Sequence, residues 1–95
     1  MNGGRASNAL IAQLTYMARN HHPKILFVDT VRAVHLGGDG AHAEVDIVLP
    51  RELSLAEAHD IGESLQIMLE RIDGVFRAFV HLDYEFEHNP VKEHR

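Results

Sequence analysis

The run from Ala41 to Leu49 constrains this chain more than any other stretch. Ala41, Ala43, Val45, Ile47 and Leu49 point one way and His42, Glu44 and Asp46 the other, until Val48 breaks the pattern. Alternation with period two marks a β-strand with one face in a core and the other left to polar surroundings. The residues from Phe27 to Leu36 are also β-rich, and Gly37-Gly38-Asp39-Gly40 lies between the two runs. A glycine-rich loop in that place predicts an antiparallel hairpin. Pro50 stops its second strand, because proline has no N–H to give to a ladder.

Helical patterns flank the hairpin. Ser7 or Asn8 can cap a first helix, in which Leu10, Ile11, Leu14, Met17 and Ala18 fall on one stripe. Asn20-His21-His22-Pro23 ends it, since proline cannot continue a helix. Ser54-Leu55-Ala56-Glu57 has the form of a capping box. Leu55, Ala58, Ile61, Leu65, Met68, Leu69 and Ile72 then trace the apolar stripe of a second helix, closed by Asp73-Gly74. A last strand is expected to place Phe76, Ala78, Val80, Leu82, Tyr84 and Phe86 on one face. Arg77, His81, Asp83, Glu85 and Glu87 take the other. Met1-Asn2-Gly3-Gly4 reads as a loose start, and the polar tail over 89–95 is expected to be disordered.

The order is αββαβ, and the expected class is α+β: a two-layer sandwich with both helices on one face of a three-stranded sheet. Ninety-five residues make a single domain, 1–95, with no internal repeat. Apolar residues are 45% and charged residues 24%, which fits a soluble globular chain rather than a disordered one. The absence of cysteine excludes disulfides, thiolate metal sites and a cysteine nucleophile. No apolar run is long enough to span a bilayer, and no signal peptide is visible. A net charge of −5 argues against nucleic acid as a partner. Eight histidines beside 14 carboxylates equip the chain to hold cations through nitrogen and oxygen.

Those donors concentrate on the sheet face the helices leave bare. Alternation puts His42, Glu44 and Asp46 there from one strand and His81, Asp83 and Glu85 from another. Alternate residues on a strand are about 6.5–7 Å apart, so neighbouring side chains can converge on one ion. Imidazole with carboxylate suits Zn, Fe or Mn, and the lack of thiolate removes a copper(I)-type site. The bland alternative is a solvated polar face. Against it, Phe27, Val31, Val48 and Phe79 also fall near or on that face, a mixture that suits a partly polar contact with a second copy. Metal ligands shared at such a seam would offset carboxylate repulsion.

The remaining histidines carry weaker signals. His59 lies at the edge of the second helix's stripe and, taken alone, reads as a half-buried residue hydrogen-bonded to backbone. His21 and His22 read as caps for the first helix's free carbonyls, with a surface metal site as the alternative. His35, His88 and His94 are peripheral ligands or solvated residues. No positioned nucleophile appears: Ser7, Ser54 and Ser64 have places as caps or helix surface. The glycine loop joins two strands and precedes no helix, so it is not a phosphate loop. A small metal-dependent hydrolase is therefore the weakest reading, and the chain is expected not to be an enzyme.

Six segments also resemble one family: Gln13-Leu14-Thr15-Tyr16; Asn20-His21-His22; Val28-Asp29-Thr30-Val31-Arg32-Ala33; Glu44-Val45-Asp46-Ile47-Val48-Leu49-Pro50; Glu57-Ala58-His59-Asp60-Ile61-Gly62-Glu63-Ser64-Leu65-Gln66; and Arg77-Ala78-Phe79-Val80-His81-Leu82-Asp83-Tyr84-Glu85. From about Gly4 to His88 the chain resembles the cytosolic C-terminal domain of cation diffusion facilitator transporters, also called metal tolerance proteins, nearest the manganese- or iron-associated branch. The resemblance implies a metallochaperone-like (ferredoxin-like) αββαβ domain on the cytoplasmic side of a membrane. Such a domain forms a homodimer below a six-helix transmembrane domain that this chain lacks. Divalent metal at the dimer interface is then expected to favour the closed, transport-competent state. Carried over by position, the implied ligands are Asp46, His59, His81 and Asp83, with His21, His22, His35, His42, Glu85 and His88 as secondary candidates. Asp46 stands where zinc-type members often have histidine, and Val28-Asp29 replaces a first-strand histidine of those members. The competing reading is a free-standing dimeric metal-binding protein or metallochaperone.

Overall fold

A computed structural model describes residues 4–85. The chain runs α1 (Asn8–Arg19), β1 (Phe27–His35), β2 (Ala41–Leu49), α2 (Leu55–Glu70), β3 (Val75–Tyr84). Each helix starts on a serine whose hydroxyl accepts a free backbone N–H. Ser7 Oγ takes Leu10 N–H at 3.2 Å and Ser54 Oγ takes Glu57 N–H at 3.0 Å. The carboxylate of Glu57 faces Lys24 Nζ at 3.7 Å. At the other end of α1 the carbonyls are closed by Asn20, whose side chain donates to Tyr16 O at 2.8 Å and whose N–H reaches the same oxygen. The imidazoles of His21 and His22, expected in that role, point elsewhere.

The sheet order is β1-β2-β3, with β1 antiparallel and β3 parallel to the central β2. Antiparallel pairing follows from the short glycine loop. Parallel pairing follows from α2, which carries the chain back across the sheet. Gly40 closes the hairpin at φ +126°, and a Cβ there would meet Gly74 O at 3.0 Å, so the loop seats against the turn that starts β3. Residues 4–6 lie along the outer edge of β1, through Ala6 N–H to Ala33 O at 3.0 Å and His35 N–H to Gly4 O at 2.8 Å. On the outer edge of β3, Glu70 accepts Ala78 N–H at 3.0 Å. Both free edges are thus partly blunted against pairing with other chains.

Both helices pack on one face of the sheet. The core joins Leu14 and Ala18 of α1, Ala43, Val45, Ile47 and Leu49 of β2, Ile61, Leu65 and Leu69 of α2, and Ala78 of β3. Gly62 lets α2 approach β3 closely: a Cβ there would lie 2.9 Å from Leu82 Cδ2. Leu55, assigned to the buried stripe from sequence, is 84% exposed because it is the first residue of α2, ahead of the turn that meets the sheet. No helix among the described residues is long and apolar enough to cross a membrane. Phe86, Glu87, His88, His94 and the 89–95 tail lie outside the described residues.

Candidate functional site

The bare sheet face is built by register. Across β2, Arg32 pairs with Glu44 and Thr30 with Asp46; on the other side Glu44 pairs with Phe79, Asp46 with His81 and Val48 with Asp83. Asp46 and His81 are thus neighbours on adjacent strands, about 4.8 Å apart in backbone, with Asp83 two residues further along. Glu44 holds the centre, accepting Arg32 Nη2 at 2.6 Å and standing 3.9 Å from His81 Nε2. A short charge-assisted contact and a looser one share the same carboxylate.

Two bulges alter the alternation read from sequence. In β1 the register shifts between Val28 and Thr30, so Asp29 and Thr30 together oppose Asp46. Asp29 thereby joins the acidic neighbourhood, and the same shift sets Val31 beside Val45 on the helix-covered side. Val31 was expected near or on the bare face. In β3 the shift falls at Phe76, which was expected in the core. It is 47% exposed instead, with its ring 5.4 Å from that of His42. Phe27 and Phe79 are 52% and 40% exposed on the bare face, and Arg77 lies over the Phe79 ring at 5.1 Å. A shallow basin there is lined by Arg32, Val34, Leu36, His42, Glu44 and Phe79. His42 lies four residues from Asp46 along β2, about 13 Å at 3.3 Å per residue, and belongs to this far end with His35. Glu85 follows β3, its N–H donating to Leu49 O at 2.8 Å.

His59 stands apart from these groups. Its side chain is 67% exposed on α2, in the helical layer, whereas Asp46 and His81 lie across the sheet. The half-buried, backbone-bonded histidine expected from its position is not what forms. Its Nδ1 is 3.5 Å from Asp60 Oδ1. Among the described residues, the only group of three or more histidine or carboxylate donors lying within 4.8 Å of one another is His59, Asp60 and Glu63. Asp46, His81 and Asp83 are adjacent in register without closing to that distance.

His21 and His22 occupy the corner between α1 and β1. The Ser64 hydroxyl donates to Ile61 O at 3.2 Å, which leaves His21 Nε2–H to donate to Ser64 Oγ at 2.6 Å. Burial, with the neighbouring His22 charge, holds His21 below its ordinary pKa. His22 Nδ1 accepts Lys24 N–H at 3.0 Å. These contacts tie the corner to α2 across 43 positions of sequence, a separation no local motif reports.

Comparison with known proteins places this geometry in a family. Residues 6–85 match the family model described as the cytoplasmic domain of cation efflux proteins. Metal tolerance protein 5 of Oryza sativa subsp. japonica is 53% identical over 88 residues, covering 93% of this chain and 21% of that protein. Metal tolerance protein 11 of Arabidopsis thaliana is 51% identical over 88 residues, covering 93% and 22%. The chain thus spans about a fifth of the length of the curated relatives it matches. Among solved structures, a nickel form of a MamM CTD variant superposes with a TM-score of 0.73 at 21% identity, covering 84% of this chain and 100% of that one. A cadmium form gives 0.72 at 22% identity, covering 83% and 98%. These neighbours share the metallochaperone-like fold of two helices over a three-stranded sheet. The chain belongs to the cation efflux protein family, as its cytoplasmic domain.

Proposed function

We propose that this chain is the metal-responsive dimerisation domain of a cation-efflux transporter, working beneath a transmembrane domain of the same protein. The observation that carries the reading is the pairing of Asp46 with His81 on a sheet face that no helix covers. That face mixes donors with exposed Phe27 and Phe79, the composition of a surface suited to a second copy rather than to water alone. Two such faces bring like charges together, and a divalent cation between them offsets the repulsion.

His81 and Asp83 would hold the ion, with Asp46 or His59 from either copy. Within one chain His59 is in the opposite layer, so its participation at the sheet face requires a second copy. The donor set of imidazole and carboxylate suits Zn, Mn or Fe, and solved relatives of this fold include copper, nickel and cadmium forms of MamM CTD. The ion shifts the balance toward the closed dimer only by its differential affinity for the two states. Moving that balance from 1:99 to 99:1 takes about 10⁴-fold, or about 5.5 kcal/mol.

Titration calorimetry with zinc on the wild type and on a His59→Ala, His81→Ala double variant tests the assignment. Loss of binding in the variant supports it; unchanged stoichiometry and affinity would sink it. Sedimentation with and without zinc reads the dimer directly.

A further inference from the structure

We infer that the hairpin end of the domain rests on a lipid surface, with Leu36 and Phe76 entering the headgroup layer. This placement rests on the reading proposed above, in which a transmembrane domain of the same protein lies ahead of this chain. Residues 4–6 fix where the two would join. His35 N–H donates to Gly4 O at 2.8 Å and Ala6 N–H to Ala33 O at 3.0 Å, so the chain comes in beside the last residues of β1. A membrane domain ahead of Gly4 therefore lies at the hairpin end. The opposite end, where β2 and β3 finish beside Asp46, His81 and Asp83, is about 26 Å away along β2 at 3.3 Å per residue.

The side chains at the hairpin end suit a boundary between water and lipid. Leu36, just before the glycine loop, is 68% exposed. It lines the shallow basin together with Arg32, Val34 and His42. The exposed Phe76 ring lies 5.4 Å from that of His42 and extends the same apolar patch. The loop is seated against Phe76, because a Cβ on Gly40 would lie 3.4 Å from the Phe76 Cβ. Arginines flank the patch. Arg32 lines the basin and Arg5 bridges to Val34, with no carboxylate within 4.0 Å of Arg5 among the described residues. A guanidinium beside inserted apolar side chains can pair with lipid phosphate while its stem lies along the acyl boundary.

Charge decides which end can face a membrane. In the hairpin half, Arg5, Arg32, Arg71 and Arg77 balance Asp39, Glu44, Glu70 and Asp73. In the other half, Asp29, Asp46, Asp60, Glu63, Asp83 and Glu85 have no lysine or arginine within 4.0 Å among the described residues. The cytoplasmic leaflet carries a negative surface potential that decays over about 8 Å at physiological salt. It repels the acidic half and tolerates the balanced one. The entry of the chain, the apolar tips and the charge agree on one orientation, and it holds the metal-ligand candidates away from the lipid.

The test uses vesicles and exploits the absence of cysteine in the chain. Leu36→Cys and Leu55→Cys are each labelled with the environment-sensitive fluorophore NBD, Leu55 being the exposed leucine of the opposite end. EDTA is present, so that no metal bridges carboxylate to lipid. On phosphatidylcholine vesicles containing about 30% phosphatidylserine, the label at Leu36→Cys is expected to brighten about threefold, and that at Leu55→Cys to stay unchanged. In flotation, a Leu36→Ser, Phe76→Ser variant is expected to bind these vesicles about tenfold more weakly than wild type, and Leu55→Ser as wild type does. Equal brightening of the two labels overturns the inference. So does a wild type that fails to float, which would leave protein surface of the transmembrane domain as the cover for these side chains. Zinc titration of the same proteins without EDTA separates the two readings. A Leu36→Ser, Phe76→Ser variant that no longer floats yet binds zinc as wild type does supports a lipid contact distinct from the metal site. A wild type that floats but binds no zinc leaves the lipid contact standing and sinks the metal-responsive reading.

Discussion

The two faces of this sheet come from the same three strands and present opposite chemistry. Toward the helices, Ala43, Val45 and Ile47 are fully buried against Leu14, Leu65 and Leu69. Toward solvent, one residue out of step, His42, Glu44 and Asp46 are half-buried among Arg32, Phe79 and His81. The first face is complete within one chain, with no buried polar residue among those described. The second carries donors and exposed aromatic rings that no helix among the described residues covers. The difference teaches that β2 separates a buried apolar face from an open, donor-bearing one by alternation alone.

The largest expected effect breaks the comparison if it fails. Leu65 is fully buried on α2 in the middle of the core. Leu65→Ala is expected to cost about 2–5 kcal/mol, from lost transfer energy and the cavity left behind. For a domain whose whole stability is about 5–15 kcal/mol, that is a large fraction. Asp46→Ala on the other face is expected to change stability by no more than about 0.5 kcal/mol, while weakening zinc binding. Urea denaturation of both variants reads the contrast. Equal losses would mean the bare face is also structural.

What the sequence disclosed divides along the same line. The hairpin, the serine caps and most of the α2 stripe are local physics: a turn residue, an N–H acceptor, a 3.6-residue period. The helix-facing side of β2 was legible because five apolar residues in strict alternation leave one arrangement. The bare face was legible in part. His42, Glu44, Asp46, His81 and Asp83 follow from alternation, but Asp29 and Phe76 are placed by bulges, which insert a residue and reverse the parity beyond it. No single residue type announces a bulge, so Phe76 was sent to the core and Val31 to the wrong face. His21 and Ser64 were illegible for a different reason: their contact depends on how α1 leans on α2. His59 with Asp60 and Glu63 had the right spacing for a shared face, yet His59 was weighed alone.

A pH titration sharpens the comparison at intermediate size. His21 belongs to the packed side, and burial together with the His22 charge sets its folded pKa below the ordinary 6.5. The unfolded chain then binds the proton first. Stability from this group is fully present above 6.5 and is lost as pH falls from there through the lower folded value. Unfolding free energy measured from about pH 7.5 to about pH 5.5, the range in which imidazole titrates, is expected to decline. The decline should be shallower in His21→Gln, which can still donate to Ser64 Oγ. Equal slopes in the two proteins would place the pH dependence elsewhere and remove His21 from the packed side's account.

The smallest effect has the opposite sign in binding and almost none in stability. Arg32 donates to Glu44 at 2.6 Å, but its side chain is 71% exposed and that of Glu44 43%. A pair so open to solvent is worth about 0–1 kcal/mol, so Arg32→Ala should barely move the urea midpoint. Its charge, however, stands on the same face as the carboxylates proposed to bind metal. A unit positive charge about 8 Å from a monovalent equivalent in water contributes roughly 0.5 kcal/mol of repulsion, and a divalent ion feels about twice that. Removing Arg32 also frees Glu44 to face His81 alone. Arg32→Ala is therefore expected to tighten zinc binding at the sheet face by about two- to fivefold at low salt, since each 1.4 kcal/mol is a factor of ten. The gain should shrink toward nothing near 1 M salt, where the screening length falls to about 3 Å. Calorimetry at both ionic strengths measures it. A stabilising salt bridge with no part in binding would give the reverse: a lower urea midpoint and an unchanged zinc affinity.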